Sequence, residues 1–376
     1  MKIRAVEVFP FSIPYHSVTV SGAAVSEGTN RVLVRVETDN GIEGVGEAPM
    51  FQAGLPETIR EVVVPALIGE DPHAIELILQ KVLTHLSARL YERSLMLALA
   101  PAEIALWDII GKAAGLPVYQ LLGGMVRSKA AMAGIVFSGK PESRAEQSAD
   151  LVHQGFQTVK MKVGVDVFED IEGIRAVRAS VGPSVELRVD PNQTWTVGTA
   201  KRVLKQIEDC DLQYIEQPIR LSDLRGLADL RNTTRTPIAV NESAYIPSEV
   251  LEVIRHRCAD VILVDPMQAG GLLIAKKICA MADAAGLPVC LHTSADTSIG
   301  LSAHLHLVAS TPNAIYATDT LFYQNAEDMV KEPILLENGF CQVPRKPGLG
   351  VELDHSALYR AVQRGLIRRD WVRPWI

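Results

Sequence analysis

The sequence predicts an α/β protein: a parallel β/α barrel preceded by a smaller α+β unit. From about residue 130, short β-branched runs alternate eight times with helical segments, the pattern of a parallel barrel. Before that, a period-two strand pattern brackets an Asp39-Asn40-Gly41 turn, which is a hairpin signal. After about residue 325 the alternation is lost. A doubly wound open sheet is the rival, but no Gly-rich phosphate loop follows an early strand.

Taken in order, residues 31–38 alternate in period two and residues 42–47 resume the strand. Residues 15–30 are small and polar with weak periodicity, so they are expected to form a long loop of the kind that carries function. Residues 57–120 read as helical, punctuated by Pro65, Pro72 and Pro117, with residues 103–110 as a buried face. The barrel runs are 134–136, 158–163, 186–190, 213–216, 237–241, 261–265, 288–292 and 314–318. Between them, Ile274, Ile278, Met281 and Ala285 illustrate helical spacing.

Composition narrows the function classes. The 376 residues are 48% hydrophobic and 22% charged, enough to fill a core and too apolar for global disorder. Lys and Arg number 37 against 44 Asp and Glu. An acidic chain without a long basic run is a poor partner for nucleic acid or an anionic membrane. Aromatics at 5% argue against a stacking surface for single strands. No uncharged apolar run reaches the roughly 18 residues of a bilayer span. Glu7 interrupts the first ten residues, unlike a signal peptide. The five cysteines (Cys210, Cys258, Cys279, Cys290, Cys341) form no CxxC pair. A reducing cytoplasm and structural thiols are expected, not a zinc site.

The chemistry lies at the run ends. Lys162, Asp190, Glu216, Asn241, Asp265 and His292 follow one another at spacings of 28, 26, 25, 24 and 27 residues. Each gap is one βα unit, so each residue falls at the C-terminal end of its own strand, where barrels build active sites. A single Asp there could simply cap the next helix; lysine and histidine are poor caps, so the set needs another explanation. Asp190, Glu216 and Asn241 offer hard oxygens from three successive strands, which suits Mg²⁺, with Mn²⁺ also acceptable. Asn241 is the preferred third ligand and Glu242 the alternative, since strand alternation turns the two apart. Lys160 and Lys162 share one face of their strand. The bland reading is a salt bridge to the carboxylates. The functional reading makes Lys162 a base whose pKa is lowered by like charge from Lys160 and the nearby cation. Asp265 beside His292 would fix the imidazole tautomer and favour its protonated form. Together these groups fit removal of the proton beside a carboxylate, with Lys162 and His292 on opposite faces.

The motifs that follow resemble one family over essentially the whole chain. They are Gly46-Glu47-Ala48-Pro49, Ala105-Leu106-Trp107-Asp108, Leu121-Leu122-Gly123-Gly124, Thr158-x-Lys160-x-Lys162, Val189-Asp190-Pro191-Asn192-Gln193, Tyr214-Ile215-Glu216-Gln217-Pro218, Asn241-Glu242-Ser243, Gly270-Gly271 and Pro347-Gly348-Leu349-Gly350. In this order they resemble the enolase superfamily, in its mandelate racemase/muconate lactonizing enzyme branch. The resemblance implies a modified (β/α)₇β TIM-type barrel with an α+β capping domain. Its expected division is a capping domain over 1–126, the barrel over 127–324, and a segment over 325–376 that returns to the cap. It also implies Mg²⁺, a small carboxylic acid substrate and a homo-oligomer.

Branch members with cycloisomerase, dipeptide epimerase or acylamino-acid racemase activity carry a lysine on the sixth strand, where this chain has Asp265. The Asp265–His292 pair resembles mandelate racemase and the acid-sugar dehydratases, and an asparagine ligand resembles glucarate dehydratase. The expectation is therefore a hydroxy-acid or acid-sugar dehydratase, with a racemase, epimerase or cycloisomerase as the alternative and a non-catalytic barrel as the remote one. By the same resemblance, residues 15–30 and 47–57 set the substrate. His16, Ser21 and Asn192 are expected to contact it. Thr318, with Asp319 beside it, takes the electrophilic position on the eighth strand. No Arg or Lys lies between His16 and Arg31, which points to a monocarboxylate or compact hydroxy acid.

Overall fold

The protein is described from a computed structural model, which covers residues 1–21, 24–84, 91–367 and 370–371. The N-terminal unit is an antiparallel sheet of β1 (Ile3–Ser21), β2 (Ala24–Thr38) and β3 (Glu43–Pro49). The Asp39-Asn40-Gly41 turn closes β2 onto β3, with Gly41 at φ 82° and its N–H bonded to the Thr38 carbonyl at 3.0 Å. Only glycine takes that conformation without strain.

Residues 15–30 differ from expectation. Among the described residues, 15–21 and 24–30 lie in β1 and β2 and pair antiparallel rather than forming a loop, with a register shift between Pro14 and Thr19. His16, Ser17 and Val18 are exposed, so neither face is buried there and no period-two signal arises. The side chain of Ser21 lies outside the described residues.

The helix Glu92–Ala114 packs across β3. By length and composition it could cross a bilayer, but 83% of its apolar window is buried in the fold. Glu103 and Asp108 interrupt the run. Close approach to β3 requires glycine: a methyl at Gly46 would sit 2.1 Å from the Pro101 carbonyl oxygen. Gly46→Ala is expected to cost about 3 kcal/mol through overpacking. Urea unfolding should show a lower midpoint with unchanged slope; an unchanged midpoint would contradict this packing.

Among the described residues, eight parallel strands form the barrel: β4 (Lys129–Val136), β5 (Thr158–Lys162), β6 (Glu186–Asp190), β7 (Tyr214–Glu216), β8 (Ile238–Val240), β9 (Val261–Val264), β10 (Val289–Leu291) and β11 (Thr318–Asp319). β11 pairs with β4, and bridges Val289–Ala314 and His292–Asp319 join it to β10, closing the ring. The eighth strand is shorter than the 314–318 run implies. Ile315 is 66% exposed, so that run makes only a bridge before Thr318. β8 and β9 are rich in Val and Ile because both of their faces are buried.

β12 (Leu336–Glu337) and β13 (Phe340–Gln342) form a hairpin, and β13 pairs antiparallel with the start of β4. The helix His355–Arg364 then packs on β1, and β14 (Asp370–Trp371) pairs with β2. The Asn30 side chain holds this return through Nδ2 to the Ile367 carbonyl at 2.7 Å and Oδ1 from its N–H at 2.8 Å. All five cysteines are buried and unpaired.

Several of the sequence motifs prove to be clamps between the two units. Glu103 accepts from Leu272 N, Leu273 N and Trp107 Nε1 at 2.7–2.9 Å, capping the Leu272–Ala284 helix. Gly271 leaves room for it, since a Cβ there would meet Glu103 Oε2 at 2.0 Å. Glu47 caps the Ser298–Ser310 helix through Thr297 N and Gly300 N. Asp108 accepts from Val45 N and Leu349 N. Arg31 is fully buried between Glu47 and Asp296 at 3.2 and 2.7 Å, tying β2 to the loop after His292.

Burial pushes the Glu103 carboxyl up to about 7, outweighing its hydrogen bonds. The folded protein then keeps a proton that the unfolded chain releases near 4.5. In that window the unfolded state binds fewer protons, so stability is fully present below about 4.5 and falls as pH rises through 7. Glu103→Gln is expected to remove this component. Between pH 4.5 and 8, urea-measured stability should fall by about 3 kcal/mol more in the parent than in the variant. An equal fall in both would contradict it.

Candidate active site

Each candidate side chain is set by a strand end at the C-terminal mouth of the barrel. Lys160 and Lys162, two apart on β5, both turn inward. Lys160 is 1% exposed and donates to Glu216 Oε2 at 2.5 Å and Asp319 Oδ2 at 3.1 Å, with Asp190 Oδ2 at 3.2 Å. Lys162 Nζ lies 2.6 Å from the same Asp190 oxygen and 3.2 Å from Asn192 Oδ1. Asn192 adopts φ 44° just after β6, and its N–H bonds the other Asp190 oxygen at 2.8 Å.

Asp190, Glu216 and Asn241 follow in register on β6, β7 and the end of β8. Asn241 Nδ2 donates to Glu216 Oε1 at 3.1 Å, and its backbone N–H to Gln217 Oε1 at 3.2 Å. Its Oδ1 is buried without a hydrogen-bond partner. Glu242 hydrogen-bonds Gln193, while burial and the nearby Asp190 charge raise its carboxyl pKa and its Oε2 is buried without a partner. Asp319 is a third carboxylate beside Asp190 and Glu216, and Lys160 stands among all three. The donors are all hard oxygens, one of them buried and unsatisfied, and that fits Mg²⁺.

Charge is concentrated here. Burial and the neighbouring Asp190 charge push the Glu216 carboxyl up to about 7. Burial alone would raise Asp190 too, but Lys162 and Lys160 hold it below the usual carboxylate range. Burial opposes the Lys160 ammonium, yet Asp319, Glu216 and Asp190 hold its pKa well above the ordinary lysine value.

His292 Nδ1 is 3.8 Å from Asp265 Oδ2, beyond hydrogen-bond reach, so the pair acts through charge. Burial lowers the imidazole pKa, but Asp265 and Glu216 outweigh it and leave it raised. Asp265 also does the bland task considered for it, accepting from Met267 N at 2.8 Å to cap a short helix. Lys162 on the second barrel strand and His292 after the seventh stand three strands apart by the shorter way round the ring.

On the eighth strand the structure corrects the sequence reading. Asp319, not Thr318, is the side chain turned inward, bonded to Lys160 and Arg188; alternation sends Thr318 to the other face. His16 is exposed on the hairpin, whose base meets the strand-end loops through the Tyr15–Asn325 bridge. Arg188 and Tyr214 were missed. Arg188 precedes Asp190 by two residues, the same signal that paired Lys160 with Lys162.

Comparison with known proteins shows the family. Residues 3–123 match the family described as Mandelate racemase / muconate lactonizing enzyme, N-terminal domain, and residues 143–357 match Enolase C-terminal domain-like. The chain is 33% identical to the L-Ala-D/L-Glu epimerase of Bacillus subtilis (strain 168), across 93% of this chain and 97% of that protein. It is 34% identical to the arabinonate dehydratase of Saccharolobus solfataricus, across 85% and 87%. An enolase from Thermobispora bispora, solved in complex with magnesium and formate, superimposes at TM-score 0.91 and 30% identity, covering 98% of this chain and 95% of that one. These relatives include both isomerases and lyases. The paired domain matches and the barrel-mouth geometry together mean that this chain belongs to the mandelate racemase/muconate lactonizing enzyme branch of the enolase superfamily.

Proposed function

We propose that the protein is a Mg²⁺-dependent dehydratase of a hydroxylated carboxylic acid, acting through removal of the α-proton to an enediolate. The observation that carries this reading is the placement of Lys162 and a carboxylate-paired His292 on either side of the Asp190–Glu216 pair. Asp190, Glu216 and Asn241 would hold the cation. When bound, Mg²⁺ supplies positive charge against the substrate carboxylate and so acidifies the neighbouring C–H.

Lys162 takes the α-proton onto Nζ. The C–H electron pair passes into the enediolate and then forms the Cα=Cβ bond as the bond from the β-carbon to its hydroxyl oxygen breaks. His292, whose protonated form is favoured by Asp265 and Glu216, gives its proton to the departing hydroxyl, which leaves as water. With a hydroxyl also on the α-carbon of the substrate, the product is an enol that relaxes to a 2-keto acid.

Asp265 on the sixth strand, where a second lysine is absent, favours this reading over epimerisation. The epimerase among the relatives supports the second reading, in which Lys162 and His292 exchange one proton from opposite faces. Incubation in D₂O with Mg²⁺ and a set of aldonic, aldaric and small hydroxy acids separates them. Dehydration gives a semicarbazide-reactive 2-keto acid; racemisation gives α-deuterium without loss of water. Neither product from any acid would contradict both readings.

A further inference from the structure

Beneath the candidate site runs a chain of alternating charge that no step above uses. Arg188 on β6 lies one layer below Asp190 on the same inward face and is fully buried. Its guanidinium stands over the Tyr214 and Tyr316 rings at 4.6 and 5.6 Å from their centroids. Nε donates to Gln213 Oε1 at 2.6 Å, and Nη1 to the Ala317 carbonyl and Asp319 Oδ1, both at 2.9 Å. The other Asp319 oxygen accepts from Lys160 at 3.1 Å and lies 3.4 Å from the Tyr214 hydroxyl. Gln213, Tyr316 and Ala317 also line a cleft of about 730 Å³ at the opposite end of the barrel. Arg188 thus stands between that cleft and the barrel mouth.

We propose that Arg188 is a positioning residue: by holding Asp319, it keeps the Lys160 ammonium seated between Glu216 and Asp190. Lys160 has three N–H donors and three carboxylates around it: Asp319, Glu216 and Asp190. Where the ammonium sits depends on how strongly each carboxylate draws it. Arg188 neutralises much of the Asp319 charge from below and so lets Glu216 keep the shortest contact. Without Arg188, Asp319 becomes the strongest attractor and draws Lys160 down. Glu216 and Asp190 would then face a bound cation with less competition, while the substrate side would lose a positive charge. A group that only filled space would not produce that pair of opposite effects. The metal part of this inference rests on the proposed reading of Asp190 and Glu216 as cation ligands; the placement of Lys160 does not.

The test is Arg188→Met, which keeps an unbranched apolar stem and removes the guanidinium charge. In a metal-free crystal structure of the variant, Lys160 Nζ should stay on Asp319 and leave Glu216 Oε2. Calorimetric titration with Mg²⁺ alone should give a Kd lower by about threefold or more. The kcat for α-proton exchange should fall by about tenfold with KM little changed. Adding Asp319→Asn should abolish the tightening of Mg²⁺. Lys160 still bonded to Glu216, weaker Mg²⁺ binding, or tightening that persists with Asn at position 319 would overturn the proposal. If Arg188→Met does not fold, Asp319→Asn alone decides: Lys160 should then settle on Glu216 and Asp190 and Mg²⁺ should bind more weakly than in the parent, and unchanged binding overturns the proposal. A parent protein that binds no Mg²⁺ overturns the metal reading, while the position of Lys160 still decides the role of Arg188.

Discussion

Lys162→Ala is expected to lower the rate of α-proton exchange by about 10²–10⁴-fold, the range for loss of a positioned base. Its fold should be preserved. The Lys162 side chain is 12% exposed and only one of two lysines on Asp190, so Lys160 still compensates that carboxylate. His292→Asn should separate the two readings. In a dehydratase it removes the acid that assists departure of hydroxide, so exchange of the α-proton by Lys162 should outlast formation of the 2-keto acid. In a racemase it abolishes exchange from one face and spares the other. Deuterium incorporation followed by NMR, with the keto acid assayed in parallel, reads both. If the two variants exchange and dehydrate as the parent does, the assignment of both groups is wrong.

Mg²⁺ affinity should respond to Asn241 more than to Glu242. Asn241 brings an uncharged oxygen beside Glu216, and ligand charge is a main determinant of affinity for hard cations. Asn241→Asp should therefore tighten Mg²⁺ by about tenfold, and Asn241→Ala should weaken it by about tenfold or more. Asn241→Asp also adds a third negative charge beside Glu216, whose carboxyl already sits at about 7 from burial and the Asp190 charge. Metal-free Asn241→Asp should accordingly be less stable than the parent at pH 8, and Mg²⁺ should restore it by mass action. Glu242→Gln should change affinity less than Asn241→Ala, because Gln193 engages the Glu242 carboxylate. Loss of binding in Glu242→Gln with retention in Asn241→Ala would reverse the assignment.

Much of the barrel is legible in the sequence for a physical reason. A strand buried on both faces reads as a short β-branched run, and the polar residue at its end stands out against it. The regular spacing of Lys162, Asp190, Glu216, Asn241, Asp265 and His292 therefore reports the ring directly. The β1–β2 hairpin is not legible. With His16, Ser17 and Val18 exposed, nothing imposes alternation. On the eighth strand the predicted run is solvent-facing at Ile315, and of Thr318 and Asp319 it is Asp319 that bonds Lys160 and Arg188. The clamps made by Glu47, Glu103 and Asp108 reach Thr297, Leu272 and Leu349, each more than 160 residues away. Local pattern cannot reveal such pairs. Arg188 was hidden for a different reason: an arginine inside a strand looks like a surface residue until the ring closes around it.

A crystal structure with Mg²⁺ and a bound hydroxy acid tests the central claim most directly. The account predicts oxygens of Asp190, Glu216 and Asn241 on one cation, with Lys162 Nζ and His292 Nε2 approaching the substrate α-carbon from opposite faces. A cation held elsewhere, or both nitrogens on the same face of the acid, would contradict it.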